Sequence, residues 1–262
     1  QTRRVFQCRQ CRHQHSLITN TIFTSSKLPL TVWFLAIFFM TQSKEGMAAL
    51  PMSRYLGISF NAAIRMKHKL QMVMKQADDV QPLFGLVQID DAYWGGKRHG
   101  CKRGRGAAGK TPMIAALSRD TKGYPRHIRF SRVAGFSSDE IKRWSEKHLA
   151  PKRAVFTDGL ACFRSLDLAG HYHWAFITGG GTDKKSKKLF NWLNIIIGNL
   201  KNSIRATYHG IDHRHLPRYL AEFCYRFNRR FKLELMIENL VYHACKSSPI
   251  PQHNLSLAED WW

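Results

Sequence analysis

The sequence predicts a mixed α/β protein: one mixed sheet with flanking helices, preceded by a small cysteine-bearing ribbon and an all-helical stretch. Three observations predict it. Hydrophobic residues make up 44% of the 262 residues, enough for a sizeable core and unlike a disordered chain. From residue 83 onward short apolar runs bounded by Gly, Pro and Asp replace longer periodic segments, which is the mark of strands and turns. Before that point apolar residues recur at the three-to-four spacing of helices.

Residues 1–27 contain "RRVFQCRQCRHQHSLITNTIF", short, β-leaning and bearing Cys and His. Residues 28–40, "LPLTVWFLAIFFM", predict a buried helix, because the run lacks the ~20 residues a bilayer span needs. Residues 46–76 carry a short helix with Met47, Ala48 and Leu50, a Gly turn in "YLGIS", and an N-cap at Ser59. A second helix follows with Ala63, Met66, Leu70 and Met74 on one face. This is a helix–turn–helix pattern over the helical region 28–76, with a plain helical hairpin as the alternative. Residues 77–83 read as a polar linker.

The region 83–247 then predicts strands at "LFGLVQIDDAYW" (83–94), "TPMIAALSR" (111–119) and "RHIRFSRVAG" (126–135). The Ser- and acid-led "SSDEIKRWSEKHL" (137–149) is a capped helix. Strands recur at 153–159 and 173–180, and helices at 188–208, 215–231 and 233–246. The lysine-rich 182–188 reads as a mobile loop and 248–262 as a tail. The order β-β-β-α-β-(α)-β-α is that of the ribonuclease-H-like fold, in which central parallel strands present carboxylates at their ends.

Charge narrows the partner. Lys and Arg number 41 against 18 Asp and Glu, a net +23. A field of that sign and size attracts polyanions, and nucleic acid, double-stranded DNA included, is the usual one, with a ribosomal or membrane-surface role as the alternative. The six cysteines are scattered, only Cys8 and Cys11 are close, and no secretory signal precedes them. A reducing cytosol is the expected compartment.

In such a basic chain, paired acids at the end of an apolar run stand out. Asp90 and Asp91 end the first strand of the sheet, and Asp158 ends the fourth in "VFTDG". Adjacent central strands can bring these side chains together. Clustered carboxylates repel, and hard oxygen ligands suit Mg²⁺ or Mn²⁺. Two such ions can activate water or a 3′-hydroxyl in phosphoryl transfer. Strand alternation leaves open which of Asp90 and Asp91 faces the metals: Gln88 shares a face with Asp90, and Ile89 with Asp91.

Taken together, "VQIDDAYWGGK", "VFTDGL", "FNWLNIIIGNLKNSIRATYHG" and "HLPRYLAEFCYRFNRR" resemble the ISXO-type transposases of bacterial insertion sequences, members of the DDE superfamily. The resemblance also takes in the amino-terminal ribbon and the helix–turn–helix, and covers the chain to about residue 247. It implies a transposase that binds terminal inverted repeats and cuts and joins DNA with two divalent ions, as a homo-oligomer in the active complex. It further implies Asp90 and Asp158 as metal ligands, Asn194 as the third, and Lys201 as the basic partner seven positions on. Asn194 and Lys201 are two turns apart and share a helix face, with Gly198 near it; Asn199 is the rival third ligand. Asp91 stands where such proteins usually carry Glu and is read as a supporting residue.

Arg226, Arg229 and Arg230 of "YRFNRR" either bind DNA phosphate or support the catalytic helix. Lys97, Arg98, Lys102, Arg103 and Arg105 lie in a glycine-rich loop after Asp90 and are expected to track the DNA backbone. Cys8 and Cys11 supply two of the four ligands a structural Zn²⁺ needs. Similar transposases carry another Cys-x-x-Cys upstream. The chain begins at Gln1, so that pair is expected to precede it, with His13 and His15 as alternative ligands. Two other functions fit the same residues less fully: a catalytically decayed DNA-binding protein, and a repair or RNA-removing nuclease indifferent to inverted repeats.

Overall fold

The computed structural model of the protein describes residues 5–95, 109–177 and 184–257. A two-residue hairpin, β1 (Phe6–Gln7) and β2 (Gln14–His15), leads into three helices, α1 (Leu30–Gln42), α2 (Ala49–Leu56) and α3 (Phe60–Asp79). The sheet follows as β3 (Leu86–Trp94), β4 (Thr111–Arg119), β5 (Pro125–Arg132), β6 (Ala154–Thr157) and β7 (Tyr172–Ala175). Between β5 and β6 lies α4 (Ser138–His148), and the four-residue α5 (Ser165–Leu168) precedes β7. The chain closes with α6 (Lys184–Tyr208), α7 (Leu216–Asn228), α8 (Met236–Lys246) and the short α9 (Gln252–Leu257).

The strand order is β5-β4-β3-β6-β7. The first three strands pair antiparallel, and β3, β6 and β7 run parallel. This is the ribonuclease-H-like mixed sheet. Period-two alternation sends successive side chains of β3 to opposite layers. Ala92 and Trp94 join Met113, Ala115, Leu117, Ile128 and Phe130 under α6 and α7. Val87 and Ile89 join Ile114, Ala116 and Val155 under α4 and the segment around Phe163 and Leu166. Local chemistry starts α4 as read: the Ser137 hydroxyl accepts from the Glu140 N–H at 3.3 Å, and Asp139 and Glu140 fill the positive first turn.

A third core is helical. Trp33, Ile37 and Met40 of α1 meet Met66, Leu70 and Met74 of α3, together with Tyr225, Met236 and Leu240 from the far end of the chain. The turn between α2 and α3 is built as the residues dictate. Gly57 adopts φ 62°, its N–H and that of Ile58 close the end of α2, and Ser59 caps α3.

Several sequence expectations change here. The helix α3 is buried along much of its length. Its buried residues run from Ala63 to Asp78, including Lys67, His68 and Gln71, because α7 and α8 pack against it. Residues 77–83 are not a loose linker. Asp78 is buried and pairs with Arg229 at 2.5 Å, Asp79 pairs with Arg129 at 2.7 Å, and Leu83 bonds to His148 and Ala150. The helix α1 is buried on one side only. Leu30, Phe34, Leu35 and Phe38 are exposed, since its packing partners all lie on the other face. Residues 184–188 form the start of α6 rather than a loop; nothing in that Lys-rich run disfavours a helix. No helix among the described residues is long and apolar enough to cross a membrane.

Candidate active site

Register places the acids. In the parallel pair of β3 and β6, Ile89 lies opposite Thr157, so the next residues, Asp90 and Asp158, come side by side at the carboxyl end of β6. Carboxylate oxygens of Asp90, Asp91 and Asp158 all lie within 4.8 Å of one another, and each residue is half-buried. Gly159 follows at φ 87°, where a side chain would be strained, and lets the chain turn off the sheet edge. The Asp158 carboxylate also accepts the Leu160 N–H at 3.1 Å. The basic loop after Asp90 is drawn together at its base, where Gly95, at φ 135°, sits against the Gly109 carbonyl. Lys97, Arg98, Lys102, Arg103 and Arg105 lie outside the described residues.

The face of each acid follows from the layers. Gln88 donates from Nε2 to the Leu189 carbonyl of α6 at 2.7 Å. Asp90 therefore shares the α6 side with Gln88, Ala92 and Trp94, while Asp91 alternates with Ile89 toward the α4 side. Beyond the end of β6 the two carboxylates still converge with Asp158, so both contribute charge to one cluster.

The helix α6 crosses above. Its core face carries Leu193, Ile197, Leu200 and Ile204. Lys201 is half-buried on the flank beside it. Burial, reinforced by Arg205 and Lys110, pulls its ammonium below the usual lysine range, while the negative charge of Asp90 opposes that shift. Lys201 and Asp90 are thus near enough to interact electrostatically. Asn194 is exposed on the same flank, because seven residues at about 100° each fall only about 20° short of two turns. Asn199 points about 140° away from Asn194 around the helix. It lines a separate cleft with Thr41, Lys44, Phe223 and Phe227.

Arg226, Arg229 and Arg230 make internal contacts. Arg226 pairs with Glu222 at 2.6 Å, and Arg229 pairs with Asp78 while stacking over Tyr225. Arg230 donates to the carbonyls of Pro125 and Phe227. Arg229 ties the end of α7 to α3 and Arg230 ties it to β5, while the Arg226–Glu222 pair lies within α7.

The amino-terminal hairpin turns through Cys8 and Cys11, both exposed. Backbone N–H groups of Cys11 and then Gln10 point at the Cys8 sulfur and lower its pKa. Among the described residues, no third His, Cys, Asp or Glu joins them within ligand reach, His13 and His15 included. The residues present therefore supply half of a tetrahedral zinc site and do not fit zinc by themselves. The Asp cluster does fit a hard divalent cation: three oxygen donors, no sulfur or imidazole, and mutual repulsion that a cation relieves.

A ribonuclease-H-like sheet that gathers carboxylates at the ends of its central parallel strands defines a structural class, and the fold does not by itself set the activity. Within it the particular family is set by sequence. The model of the ISXO2-like transposase domain matches residues 82–228, more than half of the chain, and the chain belongs to that family. Transposases cut and transfer DNA. No curated protein matches the chain. Among solved structures, a pre-cleavage Mos1 transpososome aligns at 7% identity over 87% of this chain and 82% of that chain, with a TM-score of 0.29. A likeness at that score carries no argument about this chain.

The sequence reading missed the residues that hold α6 in place: Lys67, Tyr208 and Glu222. A signal for Lys67 was present, since it falls on the Ala63–Leu70–Met74 face of α3, where a lysine needs a buried partner.

Proposed function

We propose that this chain is a transposase that binds the terminal inverted repeats of an insertion sequence and catalyses metal-dependent DNA strand cleavage and transfer. The single observation that carries the reading is the convergence of Asp90, Asp91 and Asp158 at the parallel strand ends, on the domain matched to the family. Asp90 and Asp158 would hold Mg²⁺ or Mn²⁺, two ions in all, with the Asn194 carbonyl oxygen as a weaker third ligand. When bound, such ions supply Lewis-acid stabilisation of the leaving oxygen and a more acidic attacking water.

Lys201 holds a phosphate of the scissile strand against the carboxylates, and its location near Asp90 supports that role. Water and then a 3′-hydroxyl act as nucleophiles, so no covalent protein–DNA intermediate forms. Lys97, Arg98, Lys102, Arg103 and Arg105 track the DNA backbone as counter-charges. The active complex is a homo-oligomer that brings two DNA ends together, working in the cytoplasm at the nucleoid. A second Cys pair, added to Cys8 and Cys11, would complete a zinc ribbon.

The test is cleavage of a supercoiled plasmid carrying the DNA that flanks the coding sequence, in Mg²⁺ or Mn²⁺. Asp158→Ala should lower the rate at least 100-fold while duplex binding persists. Undiminished cleavage by that variant sinks the mechanism. Binding without cleavage by the parent chain would favour a decayed DNA-binding protein.

A further inference from the structure

Beneath the carboxyl end of α6 lies a cluster of charges far from solvent. Lys67 of α3 and Glu222 of α7 are 0% and 1% exposed at their side chains, and their charged atoms are 2.7 Å apart. The Tyr208 hydroxyl, in the last turn of α6, donates to Glu222 Oε1 at 3.0 Å and accepts from Lys67 Nζ at 3.0 Å. Lys67 also sits over the Tyr208 ring, 4.4 Å from its centre. Gln71 and Arg226 bring two more donors to the Glu222 carboxylate, each at 2.6 Å. Burial alone would raise the Glu222 carboxyl, but Lys67 and Arg226 outweigh it and bring it down to about 2, so it stays an anion.

Tyr208 stands seven residues beyond Lys201, which stands seven beyond Asn194. All three therefore lie on one stripe of α6, drifting about 40° over its length. The opposite flank is held as well: Ser203 and Thr207 donate to the Glu45 carbonyl at 2.9 and 3.1 Å, in the connection between α1 and α2. Two anchors on different flanks fix a helix against rotation about its axis, which core packing of Leu, Ile and Phe side chains resists less sharply.

We propose that Tyr208, locked to Glu222 and Lys67, is a positioning residue that sets the rotation of α6 and so places Lys201 and Asn194 over the carboxylates. Ser203 and Thr207 on Glu45 form the second half of the same device. This rests on the active-site reading above and deepens it. A rotation of about 20° moves a side chain at the helix's outer radius of about 5–6 Å by about 2 Å. Displacements of about 1 Å from such remote changes can cost about 100-fold in rate.

The experiment compares the full chain with its Tyr208→Phe variant, which loses one hydroxyl and keeps the ring under Lys67. Single-turnover cleavage of the flanking-sequence plasmid at saturating protein and the affinity for the same DNA are both measured well below each variant's Tm. Cleavage should fall 10- to 100-fold while affinity stays within about twofold. A rate within about twofold of the parent, or an equal loss of rate and affinity, overturns the proposal. If Tyr208→Phe does not fold, Ser203→Ala with Thr207→Val, on the other flank, is held to the same two outcomes. Asp158→Ala runs alongside: its inactivity isolates a failure as belonging to the positioning idea, whereas its activity overturns the active-site reading and this one with it.

Discussion

Acid should destabilise this protein well above the pH at which carboxylates titrate, because two histidines are buried in neutral form. His148 is 1% exposed with its ring against Trp144, and burial and Arg129 push it down to about 2. His68 is 9% exposed, stacked on His215, and burial and the Arg218 guanidinium push it down to about 3. The sign follows from which state takes up protons. Below the unfolded value of about 6.5 the unfolded chain binds them and the folded chain does not, so stability present above pH 6.5 is lost as pH falls. Each histidine contributes about 1.4 kcal/mol per pH unit in that window. Between pH 6.5 and pH 5 the pair removes about 3 kcal/mol, against a total of about 5–15 kcal/mol for a typical domain. Urea unfolding followed by tryptophan fluorescence between pH 6 and pH 5 measures the slope. His148→Gln should lower that slope by about 1.4 kcal/mol per pH unit, whatever it does to stability at pH 7. Identical slopes in parent and variant would refute the argument that His148 stays neutral in the folded state.

Two further changes test the buried charges. Glu222→Gln leaves Lys67 and Arg226 without a buried anion and should cost about 3–5 kcal/mol in urea unfolding at pH 7; a loss under about 1 kcal/mol contradicts the ionic assignment. Gly46→Ala should cost about 2–3 kcal/mol, because Gly46 has φ 92° and a methyl there would sit 2.8 Å from the Glu222 carboxylate and against the Tyr208 hydroxyl. A neutral result would show that the connection between α1 and α2 yields freely.

Much of the fold was legible because it is encoded locally. Ser137 before acidic residues starts α4, and Gly57 followed by Ser59 ends one helix and starts the next. The strand β4 spans the same residues, 111–119, that its apolar run predicted. The helix α1 was harder. Its apolar sequence continues around all sides, so only the placement of its neighbours fixes which residues are covered, and Phe34, Leu35 and Phe38 are not. Residues 77–83 misled for the opposite reason. Their polar composition reads as linker, yet Asp78 and Asp79 are paired with arginines from β5 and the end of α7.

The sequence by itself determined the class of the protein and the positions of its acids. An apolar run that ends in Asp and turns on Gly needs no distant partner to be recognised. Only the tertiary structure fixed how those acids are oriented. It turned Asp90 toward α6 and Lys201, and Asp91 toward the α4 layer, because the side of the sheet that α6 covers is a property of packing. It also gave Lys67 a partner 155 residues away in Glu222, and Arg229 one 151 residues away in Asp78. Charge pairs of that separation leave no periodicity in the chain.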